Sequence, residues 1–406
     1  MRRIDLRETG DWLGLELTGA QAELLISSGL VDVRADSPAH DLWSVRATGN
    51  VGAAVLHGPG DAGVDLRVAP KVAVHRLLFL MGYAASAKGW RNDWVDLPQM
   101  DDLPVAVGEA LARLADRALR AGLLQGYLSL DEAGMTVRGR VRHVDQFRRH
   151  FGQVLPIEVT YDEFTVDIAE NRILKAALRR MLRVPSLPAT TRRRLLQAAH
   201  RLAEVSDLVA GKPLPPWKPT RLNSRYWSAL RMAELVLAGS SFDLARGTVR
   251  ASGFMVSMPV VFEDFVTVAL GDALRAHAGG RSVCQDRGWQ LDDEGSVRLR
   301  PDLVWYPGPR GSAPGIVVDA KYKAEKPSGF PNADVYQLLA YCTSLGLSTG
   351  HLVYAEGNEA GADYRIRGAG PEGAGVTINA HTLDLDLESA AVLAEVAAIA
   401  ELMVTA

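Results

Sequence analysis

The 406-residue chain carries 45 basic and 48 acidic side chains, a formal charge of −3, with 48% hydrophobic residues. That much apolar material marks a globular protein of two or three domains with sizeable cores. The near balance of charge excludes a global basic field, so any affinity for nucleic acid has to come from local patches.

The N-terminus, Met1-Arg-Arg-Ile-Asp-Leu-Arg-Glu8, lacks an apolar signal core, and no run reaches the ~18 apolar residues of a membrane span. A soluble, cytoplasmic protein without membrane contact is expected. Cys284 and Cys342 lie far apart in apolar segments, which reads as two reduced, buried thiols, and no Cys/His zinc spacing occurs.

Thr18, with Gln21 three residues on, predicts a capping box opening a helix that Gly29 stops. Short strands are expected at 43–47, 51–57 and 64–68, forming a small β-rich module. The loop His57–Gly63 is glycine-rich but lacks the order of a phosphate cradle. Lys71 reads as the start of a Leu- and Met-rich helix. Residues 101–124 form an amphipathic helix, and Tyr127–Arg138 reads as a hairpin with Asp-Glu-Ala-Gly at its tip. Arg138, Arg140, Arg142, Arg148 and Arg149, with His143 and His150, make a basic run suited to phosphates or an acidic partner surface, though solvated arginine faces are ordinary. Helices follow at 166–182 and 190–205. Asp162, Glu163 and Glu170 fall at a helix start, where the dipole explains acids without a metal. Four prolines within Lys212–Pro219 read as an extended linker and the domain boundary.

Beyond it, helices are expected at 224–237 and from Pro259, the second carrying Glu263 in its first turns. Two apolar runs, Leu303–Trp305 and Ile316–Val318, flank a turn rich in proline and glycine and predict an antiparallel hairpin. The pairing brings Asp302 and Asp319 to one end of the ladder, and the period of two puts Lys321 on the face of Asp319. Two carboxylates and an ammonium converging there suit a hard divalent cation and phosphodiester hydrolysis, although an Asp-x-Lys at a strand end is also a common solvated terminus. A helix at 332–345 presents Gln337 and Tyr341, spaced i,i+4, toward the same hairpin. Strands at 351–355 and 376–381, a glycine-rich loop at 357–375 and a closing helix at 387–403 complete an α/β core.

The order of helix with Glu263, Pro301-Asp302 strand, Asp319-Ala-Lys321 strand and Gln337/Tyr341 helix resembles the PD-(D/E)xK nuclease core. Arg67-Val-Ala-Pro-Lys71, Val137-Arg-Gly-Arg140, Tyr161-Asp-Glu-Phe164, Glu170-Asn-Arg-Ile-Leu-Lys175 and Phe262-Glu-Asp-Phe265 extend the likeness, in that order, to the McrC family. The resemblance implies the nuclease subunit of a modification-dependent restriction system, with Glu263, Asp302 and Asp319 around Mg²⁺ (or Mn²⁺) and Lys321 aiding the water. It also implies a McrB-like AAA+ GTPase hexamer as partner, stimulated by the N-terminal half, and modified double-stranded DNA as substrate. The chain itself has no Walker A motif.

The expected architecture is α/β (α+β). A β-rich and helical N-terminal region, 1–212, binds and activates the motor, 213–219 link, and 220–406 form the endonuclease domain, a mixed sheet flanked by helices. A non-catalytic adaptor of the motor and a standalone repair nuclease are the competing functions.

Overall fold

The protein is described from a computed structural model covering residues 1–37, 41–58, 62–85, 102–185, 187–209, 211–238, 250–322, 332–355, 363–368 and 375–405. The chain begins with β1 (Arg2–Arg7), β2 (Leu13–Glu16), α1 (Gly19–Ser28), β3 (Val31–Ser37), β4 (Leu42–Ala47), β5 (Asn50–His57), β6 (Val64–Ala69) and α2 (Val74–Ala85). The capping box forms: Thr18 Oγ1 accepts from Gln21 N, and Gln21 Oε1 accepts from Thr18 N. Lys71 precedes α2 rather than starting it, because its backbone N–H is bound 2.8 Å from Glu8 Oε2. β2, β4 and β3 form one antiparallel sheet. Residues 59–61 of the glycine-rich loop at 57–63 lie outside the described residues.

α3 (Leu103–Leu119) leads to β7 (Gly126–Gly134), β8 (Arg140–Val141), α4 (His143–Arg149), β9 (Ile157–Thr165), α5 (Ala169–Leu182), α6 (Ala189–Arg201) and α7 (Trp227–Ala238). The expected 127–138 hairpin is not formed. β7 runs straight through Asp131–Gly134 and pairs with β9 from Gly126↔Thr165 to Gly134↔Ile157. The polar residues taken for a turn are held in the ladder by Thr160 Oγ1 to Asp131 (2.6 Å) and Tyr161 Oη to Glu132 (2.9 Å). Asn171 and Lys175 are structural. The amide bonds the Leu124 and Val166 carbonyls at 2.8 and 2.7 Å, and the buried ammonium lies 3.2 Å from Asp207.

The chain continues into β10 (Arg250–Ser257), α8 (Met258–Ala278), β11 (Arg281–Cys284), β12 (Trp289–Gln290), β13 (Arg298–Leu299), β14 (Leu303–Tyr306), β15 (Ile316–Lys321), α9 (Asn332–Leu345), β16 (Thr349–Ala355), β17 (Tyr364–Ile366), β18 (Val376–Leu383) and α10 (Ser389–Thr405). β10 turns back to β5 along all eight residues, completing the sheet β1-β6-β5-β10. Two glycines permit the close approach. A Cβ on Gly253 would stand 2.2 Å from Ala53 O, and one on Gly52, at φ +126°, 2.1 Å from Phe254 O. α8 covers α2, with Phe265 5.6 Å from both Phe79 and Tyr83.

The boundary at the proline run therefore requires correction. The two compact units are 1–106 together with 239–406, and 107–238. Residues 213–219 lie inside the second unit, fastened to α7: Trp217 Nε1 donates to Glu234 at 2.7 Å, and the Arg231 guanidinium lies 4.8 Å from the Trp217 ring. Prolines that prevent helix and strand do not prevent packing. The true junctions are set by β10, whose partner strand lies some 200 residues earlier in sequence.

The second half of the first unit is built on a six-stranded mixed sheet, β11-β14-β15-β16-β18-β17. β15, β16 and β18 are parallel neighbours, and β11, β14 and β17 pair antiparallel. α9 packs on the face bearing Val304, Val317, Leu352 and Tyr354, while α8 lies against the face of Leu303, with α10 beside it. This is the central mixed sheet flanked by helices expected from the sequence. Most of 357–375 is outside the described residues, and β17 lies within it. Cys342 is buried, its thiol pushed up to about 12 by burial, whereas Cys284 at the sheet edge is exposed, contrary to the expected pair of buried thiols.

Candidate functional site

The register Val304↔Val317, Leu303↔Val318 brings Asp302 level with Asp319 where β14 begins and β15 ends. Asp302 Oδ2 accepts the Ala320 backbone N–H at 2.8 Å, which fixes the first carboxylate against the second strand. Both side chains are enclosed, Asp302 at 8% and Asp319 at 1% exposure. Burial, then the neighbouring Asp319 carboxylate, pushes Asp302 up to about 8 against the opposing Ala320 N–H, with Glu263 adding to the rise. Burial likewise raises Asp319, partly offset by Lys321.

Lys321 Nζ stands 2.6 Å from Asp319 Oδ2 and donates to Gln337 Oε1 at 3.1 Å. Burial disfavours its charge, but Asp319, with Asp302 and Asp334, outweighs that and raises it, so Lys321 is held as an ammonium. Gln337 Nε2 donates to Tyr341 Oη at 2.7 Å, and that hydroxyl donates to the Arg300 carbonyl at 3.2 Å. Glu263, on α8, lies against Asp302 and accepts from Gln285 Nε2 at 2.9 Å; the Gln285 Oε1 in turn accepts from Arg300. All six predicted residues, Glu263, Asp302, Asp319, Lys321, Gln337 and Tyr341, thus belong to one connected set.

Among the described residues no three His, Cys, Asp or Glu side chains form a ready cage for a metal ion. The donors nevertheless fit a hard divalent cation. Asp319 Oδ2 is buried and, despite its short ion pair with Lys321, accepts no hydrogen bond of ordinary geometry. Two adjoining buried carboxylates, the second balanced by a single ammonium, suit oxygen-preferring ions such as Mg²⁺ or Mn²⁺. Asp302 and Asp319 would hold the ion, with Glu263 the adjoining acid.

Sequence reasoning missed Gln285 and Arg300. Arg300 had a signal, since it immediately precedes Pro301-Asp302; Gln285 had none, because its place depends on the β11–β14 pairing and on an unusual backbone angle.

The arginine run belongs to the other unit. Arg138 lies 4.4 Å from the Tyr161 ring. Arg142 pairs with Asp131 (3.3 Å), Asp145 and the buried Glu158 (3.6 Å), and Arg149 lies 3.5 Å from Glu158. Much of the run's charge is therefore answered by acids on β7 and β9 that the local sequence count did not include. Arg140 and Arg148 are exposed.

A mixed α/β protein with an acid–lysine constellation at the end of its central strands is the class that fold and site define. The chain belongs to the McrBC family: the model described as McrBC 5-methylcytosine restriction system component matches residues 45–355. Among solved structures, a chain of the half-complex from the tetradecameric assembly of Thermococcus gammatolerans McrB AAA+ hexamers with bound McrC is similar over 98% of both chains, with TM-score 0.56 and 17% identity. A chain of the cryo-EM structure of the Thermococcus gammatolerans McrBC complex covers 67% of this chain and 88% of its own length, with TM-score 0.40 and 20% identity. A search of curated proteins finds no match.

Proposed function

We propose that the protein is the DNA-cleaving component of a McrBC-type restriction system, hydrolysing phosphodiester bonds at Asp302, Asp319 and Lys321 while docked on a AAA+ GTPase hexamer. The observation that carries this is the convergence of two buried carboxylates and a charged lysine at one strand junction. A divalent ion bound there supplies Lewis acidity toward the phosphate and a more acidic water. The chain's own residues do the rest. Asp302 is oriented by the Ala320 N–H, and Lys321 is aimed by Gln337, so a positive donor stands where charge develops on the phosphate. Tyr341 and Gln337 keep that ammonium from swinging into solvent.

Membership of the family, and the likeness to a complex described as McrB hexamers with bound McrC, support a AAA+ partner and modified double-stranded DNA as substrate. For the docking surface we take unit 107–238. Of the arginine run, Arg138, Arg140, Arg148 and Arg149 are exposed while Arg142 is held by Asp131, Asp145 and Glu158, and the same unit exposes Tyr127, Phe147, Phe151 and Val154, apolar and basic side chains of the kind that interfaces use.

The alternative is a non-catalytic activator of the motor. The full chain combined with its AAA+ partner, GTP, Mg²⁺ and methylated DNA separates them. Cleavage is expected, and Asp302→Asn or Asp319→Asn is expected to abolish it while GTP hydrolysis stays stimulated. Near wild-type cutting by either variant would overturn the site, and stimulation without any cutting by the wild type would favour the activator.

A further inference from the structure

Gln285 follows β11 directly and has φ +49°, in the left-handed region. A side chain there is strained, and glycine, asparagine or aspartate would be the ordinary choice. The position is nonetheless fully used. Its backbone N–H donates to Asp302 O at 2.8 Å, so the residue is tied to the backbone of the site's first acid. Its carboxamide bridges Glu263 and Arg300.

The bridge has one possible sense. A guanidinium only donates, so Arg300 requires the carboxamide oxygen, and the NH₂ group is left to face Glu263. Oε1 of Glu263 is thereby engaged at 2.9 Å. Arg300 is itself tied into the site through its carbonyl, which accepts from Tyr341. A strained backbone that aims an amide, whose sense a cation then fixes, onto a carboxylate beside the metal acids is the arrangement of a residue that orients a ligand.

We propose that Gln285 is a positioning residue: its carboxamide, set in orientation by Arg300, holds Glu263 in place as the third acid of the cation site. This rests on the nuclease reading of Asp302 and Asp319. The consequence falls on cation affinity before it falls on chemistry, because the carboxamide of Gln285 bonds Glu263 and Arg300 and not Asp302 or Asp319.

The test measures Mn²⁺ binding to the full chain by calorimetry without DNA, together with melting temperature and the Mn²⁺ dependence of cleavage with the partner. Gln285→Ala and Gln285→Gly are each expected to weaken Mn²⁺ binding by about 10- to 100-fold. Cleavage should recover most of its rate at saturating ion. Glycine relieves the strain at φ +49°, so Gln285→Gly should melt no lower than wild type while still binding the ion poorly, a split that a merely structural role would not give. Arg300→Gln should move affinity in the same direction by freeing the amide to rotate. Wild-type Mn²⁺ affinity in Gln285→Gly and Gln285→Ala, with Asp319→Asn losing the ion, would overturn this inference alone. Wild-type affinity in Asp319→Asn would overturn it together with the nuclease site.

Discussion

Cutting the chain after Lys212, where the prolines suggest a domain end, removes β10 from β5 and α8 from α2. Phe254, Met255, Val256, Phe262, Phe265 and Val266 are each under 7% exposed. At ~1.5–3 kcal/mol per fully buried side chain, their loss forfeits about 9–18 kcal/mol as an upper limit. Even half of that matches the roughly 5–15 kcal/mol by which a whole domain is stable. The edge of β5 is also left without its eight-residue partner. A 1–212 fragment is therefore expected to keep 107–212 partly ordered at most and to lose the N-terminal sheet. A variant in which a Gly/Ser linker of about 15 residues replaces 107–238 is expected to keep that sheet. Amide hydrogen exchange reads the difference. Residues 51–56 should exchange freely in the fragment and remain protected in the linker variant. Protected β5 amides in the 1–212 fragment would refute the reasoning, for the sheet would then not depend on its returning strand.

The other expectations concern the six-stranded sheet and the site at its strand ends. His351 and His381 stack with Nδ1 and Nε2 3.1 Å apart, and burial, then the neighbouring His381, holds His351 down to about 3. Below the ordinary value near 6.5 the unfolded chain binds a proton that folded His351 refuses, so stability falls as pH drops through that window. The linkage amounts to about 2 kcal/mol between roughly pH 7.5 and 5. Denaturant titration at both pH values should show it, and His351→Leu should flatten it; an unchanged slope in that variant would contradict the assignment. Lys321→Ala is expected to lower the cleavage rate about 100- to 1,000-fold while Mg²⁺ still binds, since an ammonium donates but does not ligate a cation. Loss of Mg²⁺ binding in that variant by calorimetry would contradict the role.

The strand-end acids were legible because two local periodicities coincide. Apolar runs named β14 and β15, and alternation placed Lys321 with Asp319, so an antiparallel pairing with both acids at one end was implied, and the register Leu303↔Val318 is what the fold adds. The i,i+4 spacing of Gln337 and Tyr341 did the same for α9. What was not legible depends on contacts distant in sequence. The return of β10 to β5 rests on backbone approach at Gly52 and Gly253, which no local pattern announces. The charge balance of the arginine run turned on Glu158 and Asp131, set beside Arg142 only by the β7–β9 pairing. Prolines at 213–219 gave a true local reading, extended chain, and a wrong global one, because Trp217 packs onto α7.

The central claim is that Asp302 and Asp319 hold the ion that cleavage needs, and anomalous diffraction from crystals grown with Mn²⁺ tests it most directly. A single strong peak is expected between the two carboxylates, within about 2.0–2.4 Å of an oxygen of each, as hard oxygen donors require. That peak should vanish in Asp319→Asn crystals. Peaks found only elsewhere, or one at this position that survives the substitution unchanged, would contradict it.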